Sequence, residues 1–384
     1  MKKLVYISLL AIATACGGNG GGEPETPPTP PTPGTGDIAS LTDNNIETCY
    51  ESDGANVAIE LENKGGGDVV AYSLYSSGVT TEKDPKAWTL LGSDDKRDWK
   101  QIETRTDQTF CARYQEHLFK LGSVAKYKYY RFELQPTGGK TLRLAEVKFH
   151  STDPDAGWNN FVYPSIIFQD KASDTKGSQY YSELVQNKQA YLQYHAKAVA
   201  KLLYFTDQDK RTEVKTITYS LENRPGEVSA KSGSVPNISI MYSTDWIEKS
   251  YASSMFKLDY ETKGVLFHEM THAFQLEPKG IPPYSQPNTA WQITEGMADA
   301  IRIHAGFLPM SNRKPGGYWQ DGYQTTGFFL EWLTTKDPDA LRKINASLLT
   351  LNPWSFDGAM EYTFGKGTTT DDLWNEYQKY LKSL

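Results

Sequence analysis

The chain has 384 residues, 38% of them apolar and 12% aromatic, enough to bury more than one core, so two domains are expected. Its formal net charge is −7 and it has no long basic run. That removes the electrostatic footprint of a nucleic-acid binder, and no nucleic-acid partner is expected.

The first sixteen residues, MKKLVYISLLAIATAC, place two lysines before an apolar stretch from Leu4 to Ile12, then small residues leading to Cys16. This reads as a signal peptide over 1–16, too short to persist as a membrane-spanning helix. ATAC followed by Gly17 resembles the lipobox of bacterial lipoproteins, which implies that Cys16 is lipidated and becomes the new N-terminus. The expected location is then exported and membrane-anchored, at a bacterial outer membrane or cell surface. An ordinary secretory signal would export the chain as well. Residues 17–36, GGNGGGEPETPPTPPTPGTG, hold almost no apolar side chain and read as a tether. Cys49 and Cys111 remain in the mature chain, and an exported protein can keep them as a disulfide or as two free thiols.

From 37 to 152 the sequence changes to short alternating or apolar runs: VAIELE from Val57, VVAYSLY from Val69, AWTLLGS from Ala87, YYRFELQ from Tyr129 and AEVKFH from Ala145. Polar and glycine-containing turns separate them and no helical period intervenes, which predicts an all-β sandwich or barrel. LTDNNIETCYES, DPKAWTLLGSDDKRDWKQI and YYRFELQ leading into LAEVKFH resemble, in order and spacing, the discoidin or coagulation factor 5/8 type C domain. That family usually has tryptophan where this chain has Tyr50. The resemblance implies a β domain whose end loops bind glycans or lipid headgroups; a plain spacer domain is the other reading.

A boundary is expected between Asp153 and Asn160, and residues 157–384 read as a second, α+β domain. An apolar strand at Ile166–Phe168 precedes a long helical pattern from Ser182 to Phe205. Strand-like runs follow at Thr216–Leu221 and Ile238–Tyr242, and from Thr262 onward the pattern is mostly helical.

The most informative residues are HEMTH, His268 to His272, within TKGVLFHEMTHAFQLEP. Four-residue helical spacing puts both imidazoles on one face, where two nitrogens can reach one ion, while Glu269 lies about 100° round the helix. DYET and Gly264 suggest the helix start, Phe267, Met270 and Phe274 its apolar stripe, and Pro278 its stop. Downstream, NTAWQITEGMADAIRIHAGF predicts a helix capped by Asn288 and ended by Gly306, with Glu295 and Asp299 on one face. This E-x-x-x-D placement after H-E-x-x-H resembles the gluzincin branch of zinc peptidases. The resemblance implies that Glu295 is the third metal ligand and that Asp299 accepts the outer N–H of His268.

Two neutral imidazoles and one carboxylate leave a divalent ion with a net charge of about +1, suited to activating water. Glu269 is then the expected general base, and two nitrogen donors favour one Zn²⁺ over calcium or magnesium. NISIMYS from Asn237 is the candidate edge strand for a peptide substrate. Tyr323, at the start of a helix expected to be capped by Asp321, is the chosen oxyanion donor, with Tyr318 and His304 as rivals.

GVLFHEMTHAFQ, EGMADAIRIHAGF, GYQTTGFFLEWL and FGKGTTTDDLWNEYQKYL, in that order, make the second domain similar to the basic secretory protein family of zincin-like peptidases. The expectation is a lipid-anchored zinc metallopeptidase acting on proteins or glycoproteins and directed to glycans or surfaces by its β domain. A glycan-binding surface lipoprotein with a silent zincin domain, or a zinc hydrolase of another substrate class, are the alternatives. An intact Glu269 argues against the silent form.

Overall fold

The computed structural model describes the backbone of 32–33 and residues 37–251 and 254–384. The signal peptide and Cys16 lie outside the described residues, as does most of the tether. Among the described residues no helix is long and apolar enough to cross a membrane.

The first domain is all β. Its strands are β1 (Thr32–Pro33), β2 (Tyr50–Asp53), β3 (Val57–Glu62), β4 (Val69–Tyr75), β5 (Pro85–Ser93), β6 (Lys100–Arg105), β7 (Glu116–Ala125), β8 (Tyr129–Pro136), β9 (Thr141–Leu144) and β10 (Glu146–His150). They form a five-stranded sheet ordered β1-β3-β8-β5-β6, a three-stranded sheet ordered β10-β4-β7, and the pair β2-β9. Alternation decides which side chains meet: Val57, Ile59 and Leu61 of β3 point inward while Ala58 and Glu60 do not. Between the sheets Tyr72 stacks on Phe119 at 5.2 Å, and Trp88 Nε1 donates to the Tyr72 hydroxyl at 2.7 Å. The buried indole thus has a polar partner.

Among the described residues, the second domain pairs one sheet with nine α-helices. The strands β11 (Ser165–Asp170), β12 (Thr216–Glu222), β13 (Ser229–Ser234) and β14 (Asn237–Ser243) are ordered β11-β12-β14-β13. β11, β12 and β14 run parallel, and β13 lies antiparallel on the edge. NISIMYS is therefore an interior strand. Its Ile238, Ile240 and Tyr242 are buried, and β12 and β13 take up both of its backbone edges. The edge falls to β13, whose sequence SAKSGS has no aromatic or β-branched residue to mark it. The helices are α1 (Lys176–Leu184), α2 (Lys188–Leu203), α3 (Thr244–Tyr251), α4 (Met255–Phe274), α5 (Thr289–His304), α6 (Tyr323–Trp332), α7 (Ala340–Thr350), α8 (Phe356–Phe364) and α9 (Thr370–Ser383).

The single helix expected over Ser182–Phe205 is two, and the β domain causes the break. The amides of Gln186 and Asn187 both donate to the Cys111 carbonyl at 2.9 Å, and Arg113 N donates to Leu184 O at 2.8 Å. Ala112 forms an antiparallel bridge with Val185, and Asn187 then caps α2 by accepting from Ala190 N. Ala112 is buried in the helical domain's own core. Cys111 packs against that same core, Cys49 leads into β2 of the sandwich, and the two are free thiols.

Two buried ion pairs secure this junction. Arg113 makes a two-pronged contact with Asp84, at 2.8 and 2.6 Å, and also reaches Gln186 Oε1 at 3.2 Å. Lys263 of α4 donates to Asp259 at 2.7 Å and to the Tyr114 carbonyl of the β domain at 2.9 Å. Removing one partner of such a pair strands a buried charge. Arg113→Ala is expected to cost about 3–5 kcal/mol by leaving Asp84 unpaired. Urea unfolding followed by tryptophan fluorescence checks this, and a loss below about 1 kcal/mol, the ordinary range of exposed pairs, would count against it.

Candidate metal centre

Helix α4 begins at Met255, capped by Ser254 accepting from Lys257 N, well before the expected start at Gly264. Gly264 sits inside the helix for a packing reason: a Cβ there would lie 2.9 Å from Arg302 Nε and 3.0 Å from the Phe307 carbonyl. The glycine lets α5 come close. Leu266, Met270 and Ala273 face the core, which turns His268 and His272 to the opposite side with their rings edge to face and Nε2 atoms 3.2 Å apart.

Helix α5 begins as expected, with Asn288 Oδ1 accepting from Trp291 N at 3.0 Å, and ends before Gly306, whose φ is +85°. It presents Glu295 and Asp299 to α4. Glu295 Oε2 lies 3.4 Å from His268 Nε2 and 3.5 Å from His272 Nε2, and Asp299 Oδ1 lies 2.8 Å from His268 Nδ1.

These separations test the fit to a metal. Donors held about 2.0–2.1 Å from a tetrahedral zinc lie about 3.3–3.4 Å from one another. The triangle of two imidazole nitrogens and one carboxylate oxygen has sides of 3.2, 3.4 and 3.5 Å. Among the described residues, His268, His272 and Glu295 are the grouping suited to an ion. The electrostatics agree. Burial pushes the His268 ring down, but the carboxylates of Asp299 and Glu295 outweigh it and raise the imidazole to about 10. Burial would raise Glu295, yet His268, His272 and Tyr284 hold it well below the usual carboxylate range. The cluster draws positive charge, as a cation site must.

Three supporting contacts were not read from the sequence. Ser229 of β13 donates to Glu269 Oε1 at 2.6 Å, Tyr284 donates to Glu295 Oε1 at 2.6 Å, and the Gln275 amide lies 2.9 Å from His272 Nδ1. Gln275 follows His272 by three residues, so helical spacing could have suggested it. An Nδ1–H tautomer of His272 is met there by the amide oxygen, since a half turn exchanges the O and N of the amide. Ser229 and Tyr284 come from a strand and a loop without local signals.

Glu269, His268, His272 and Glu295 line one cleft of about 860 Å³. Its walls are β13 on one side and the Pro282–Pro283–Tyr284 loop on the other, and Tyr323 also borders it. Tyr323 lies parallel to the His268 ring at 6.2 Å, about half exposed, with a left-handed φ of +38°. Burial and the charges of Glu295, Asp299 and Glu269 raise its phenol, so the hydroxyl stays protonated. The expected Asp321 cap is absent. Gly322 occupies the cap position, and Asp321 Oδ2 accepts from Tyr318 N instead. Tyr318 and His304 do not line the cleft; His304 faces Glu331 at 3.9 Å.

No curated protein matches the chain. Among solved structures it is similar to a Clostridium perfringens module, CpGH89CBM32-5, described in complex with GalNAc-β-1,3-galactose. The identity is 13% over 29% of this chain and 80% of that one, with a TM-score of 0.26. The family 32 carbohydrate-binding module of Streptococcus pneumoniae EndoD shows 14% identity over 32% of this chain and 92% of its own, with a TM-score of 0.27. An F5/8 type C domain from Bacteroides fragilis shows 11% over 29% and 78%, with a TM-score of 0.27. The BSP family model, described as peptidase of plants and bacteria, matches residues 165–377. That stretch is more than half of the sequence and contains β11 through most of α9, so the chain belongs to the BSP family of peptidases.

Proposed function

We propose that the protein is a zinc metallopeptidase that cleaves peptide bonds in proteins or glycoproteins. The reading is carried by the triangle of His268 Nε2, His272 Nε2 and Glu295 Oε2 beside a carboxylate, Glu269, on the floor of the same cleft. A bound zinc ion supplies Lewis acidity that brings water towards ionisation near neutral pH.

The chain's own residues do the rest. Asp299 fixes the His268 ring so that its Nε2 lone pair points to the metal position. Glu269 takes the proton of the attacking water and passes it to the leaving amine. Ser229 engages Oε1 of that carboxylate, leaving Oε2 as its base. Tyr323 donates to the oxyanion that develops on the scissile carbonyl. The free edge of β13 pairs with the peptide backbone and lays it along the cleft. In this reading Cys16 carries the lipid anchor, and the β domain, by its resemblance to discoidin domains, binds a glycan at the target surface.

Glu269→Gln is expected to retain zinc while lowering the turnover of a peptide library by about 10²–10⁴-fold. Wild-type turnover by this variant would remove the general-base assignment. His268→Ala is expected to lose the metal, as read by elemental analysis of purified protein, and full retention would contradict the ligand set. Chelation should abolish cleavage and added zinc restore it. Cleavage that persists in fully demetallated protein would exclude the metallopeptidase reading.

A further inference from the structure

The two oxygens of Glu295 have different partners. Oε2 faces both imidazole nitrogens, at 3.4 and 3.5 Å, while Oε1 accepts a 2.6 Å hydrogen bond from the Tyr284 hydroxyl. A carboxylate beside a divalent ion can bind through one oxygen or both. Binding through both would add a donor to the three protein ligands and one water of a catalytic zinc. Here the phenol engages the second oxygen and orients the carboxylate with Oε2 towards the imidazoles.

We infer that Tyr284 is a positioning residue that holds Glu295 to metal binding through Oε2 alone and so keeps the site at three protein donors. The inference rests on the metallopeptidase reading above.

The loop that carries Tyr284 is built for a fixed reach. Pro282 and Pro283 have restricted φ, and Asn288, the cap of α5, donates from Nδ2 to the Pro283 carbonyl at 2.8 Å while its Oδ1 accepts from Ser285 N at 3.3 Å. One asparagine thus sets the start of the helix that bears Glu295 and the height of the loop that bears Tyr284. Upstream, Gly280 at φ +70° passes so close to Asn352 that a Cβ would lie 2.1 Å from its Oδ1, which ties the loop's other end to the segment before α8. The Tyr284 ring, about half exposed, lines the cleft while its hydroxyl points inward to Glu295. The wall that a substrate would touch and the group that shapes the ligand are therefore one side chain.

Full-length wild type and Tyr284→Phe are compared by zinc competition against a chromogenic chelator and by the visible absorption of the cobalt-substituted forms. Tyr318→Phe, at an exposed tyrosine outside the cleft, is the control. Tyr284→Phe is expected to weaken zinc binding about 10–100-fold. It is also expected to lower the cobalt absorption intensity, the signature of a move from four to five ligands. The thermal midpoint of the metal-free variant should match wild type, and Tyr318→Phe should bind zinc within about twofold of wild type, since it removes no partner of a ligand. Unchanged affinity together with an unchanged cobalt spectrum in Tyr284→Phe overturns the inference and leaves the metallopeptidase reading standing. A wild-type protein that takes up no zinc overturns both.

Discussion

Helix α5 lies wedged between α4 and α6, and each crossing passes over a glycine. Gly264 of α4 makes room for Arg302 of α5. A Cβ on Gly296 would lie 2.4 Å from Thr326 Cγ2, and one on Gly327 of α6 would lie 2.7 Å from Asp299 Cβ. These close approaches drive two carboxylates, Glu295 and Asp299, into a nearly dry interior, at 5% and 3% exposure. A buried carboxylate is costly unless it is paired. The two imidazoles of α4 are the partners that make the close packing tolerable. The glycines and the charge cluster are thus one arrangement, since filling any of the three gaps would push α5 back and withdraw Glu295 from the histidines.

The same helix ties the site to the β domain. Lys263, five residues before His268, is buried and satisfied by Asp259 on its own helix and by the Tyr114 carbonyl across the junction. The segment from Cys111 to Tyr114 separates α1 from α2, contributes Ala112 to the second core and anchors the middle of α4. A module of this kind tethered by a flexible linker would leave no such trace inside the neighbouring core. Here the junction is formed from backbone hydrogen bonds and buried charges, which fixes the position of the sandwich relative to the cleft.

What could be read beforehand was whatever depends on local period. His268 and His272 share a face, as do Glu295 and Asp299, because the α-helix repeats every 3.6 residues. The sandwich strands VAIELE, VVAYSLY and YYRFELQ announce themselves by alternation, and Asn288 marks its helix start. What escaped depends on long-range contact. The break at Val185–Asn187 exists because Cys111 docks there, and Gly264 looks like a helix start until Arg302 is seen packed against it. Ser229 and Tyr284 reach the site from 40 residues before Glu269 and from a proline-rich loop, and neither segment carries a pattern that points to a carboxylate.

The edge strand β13 combines two demands that usually conflict. An open edge invites pairing with any extended chain, and proteins commonly blunt such edges with charge or with very short strands. β13 keeps a six-residue edge but clothes it in SAKSGS, so no large apolar side chain rewards indiscriminate association. A peptide laid on it would gain backbone hydrogen bonds and meet mainly small side chains, which suits acceptance of varied sequences and leaves selection to the opposite wall. At the start of that strand, the Ser229 hydroxyl holds Glu269. In the proposed peptidase, the element that aligns the substrate backbone therefore also aims the base. The distance between scissile bond and carboxylate is then set within one piece of structure, not across two that could drift apart.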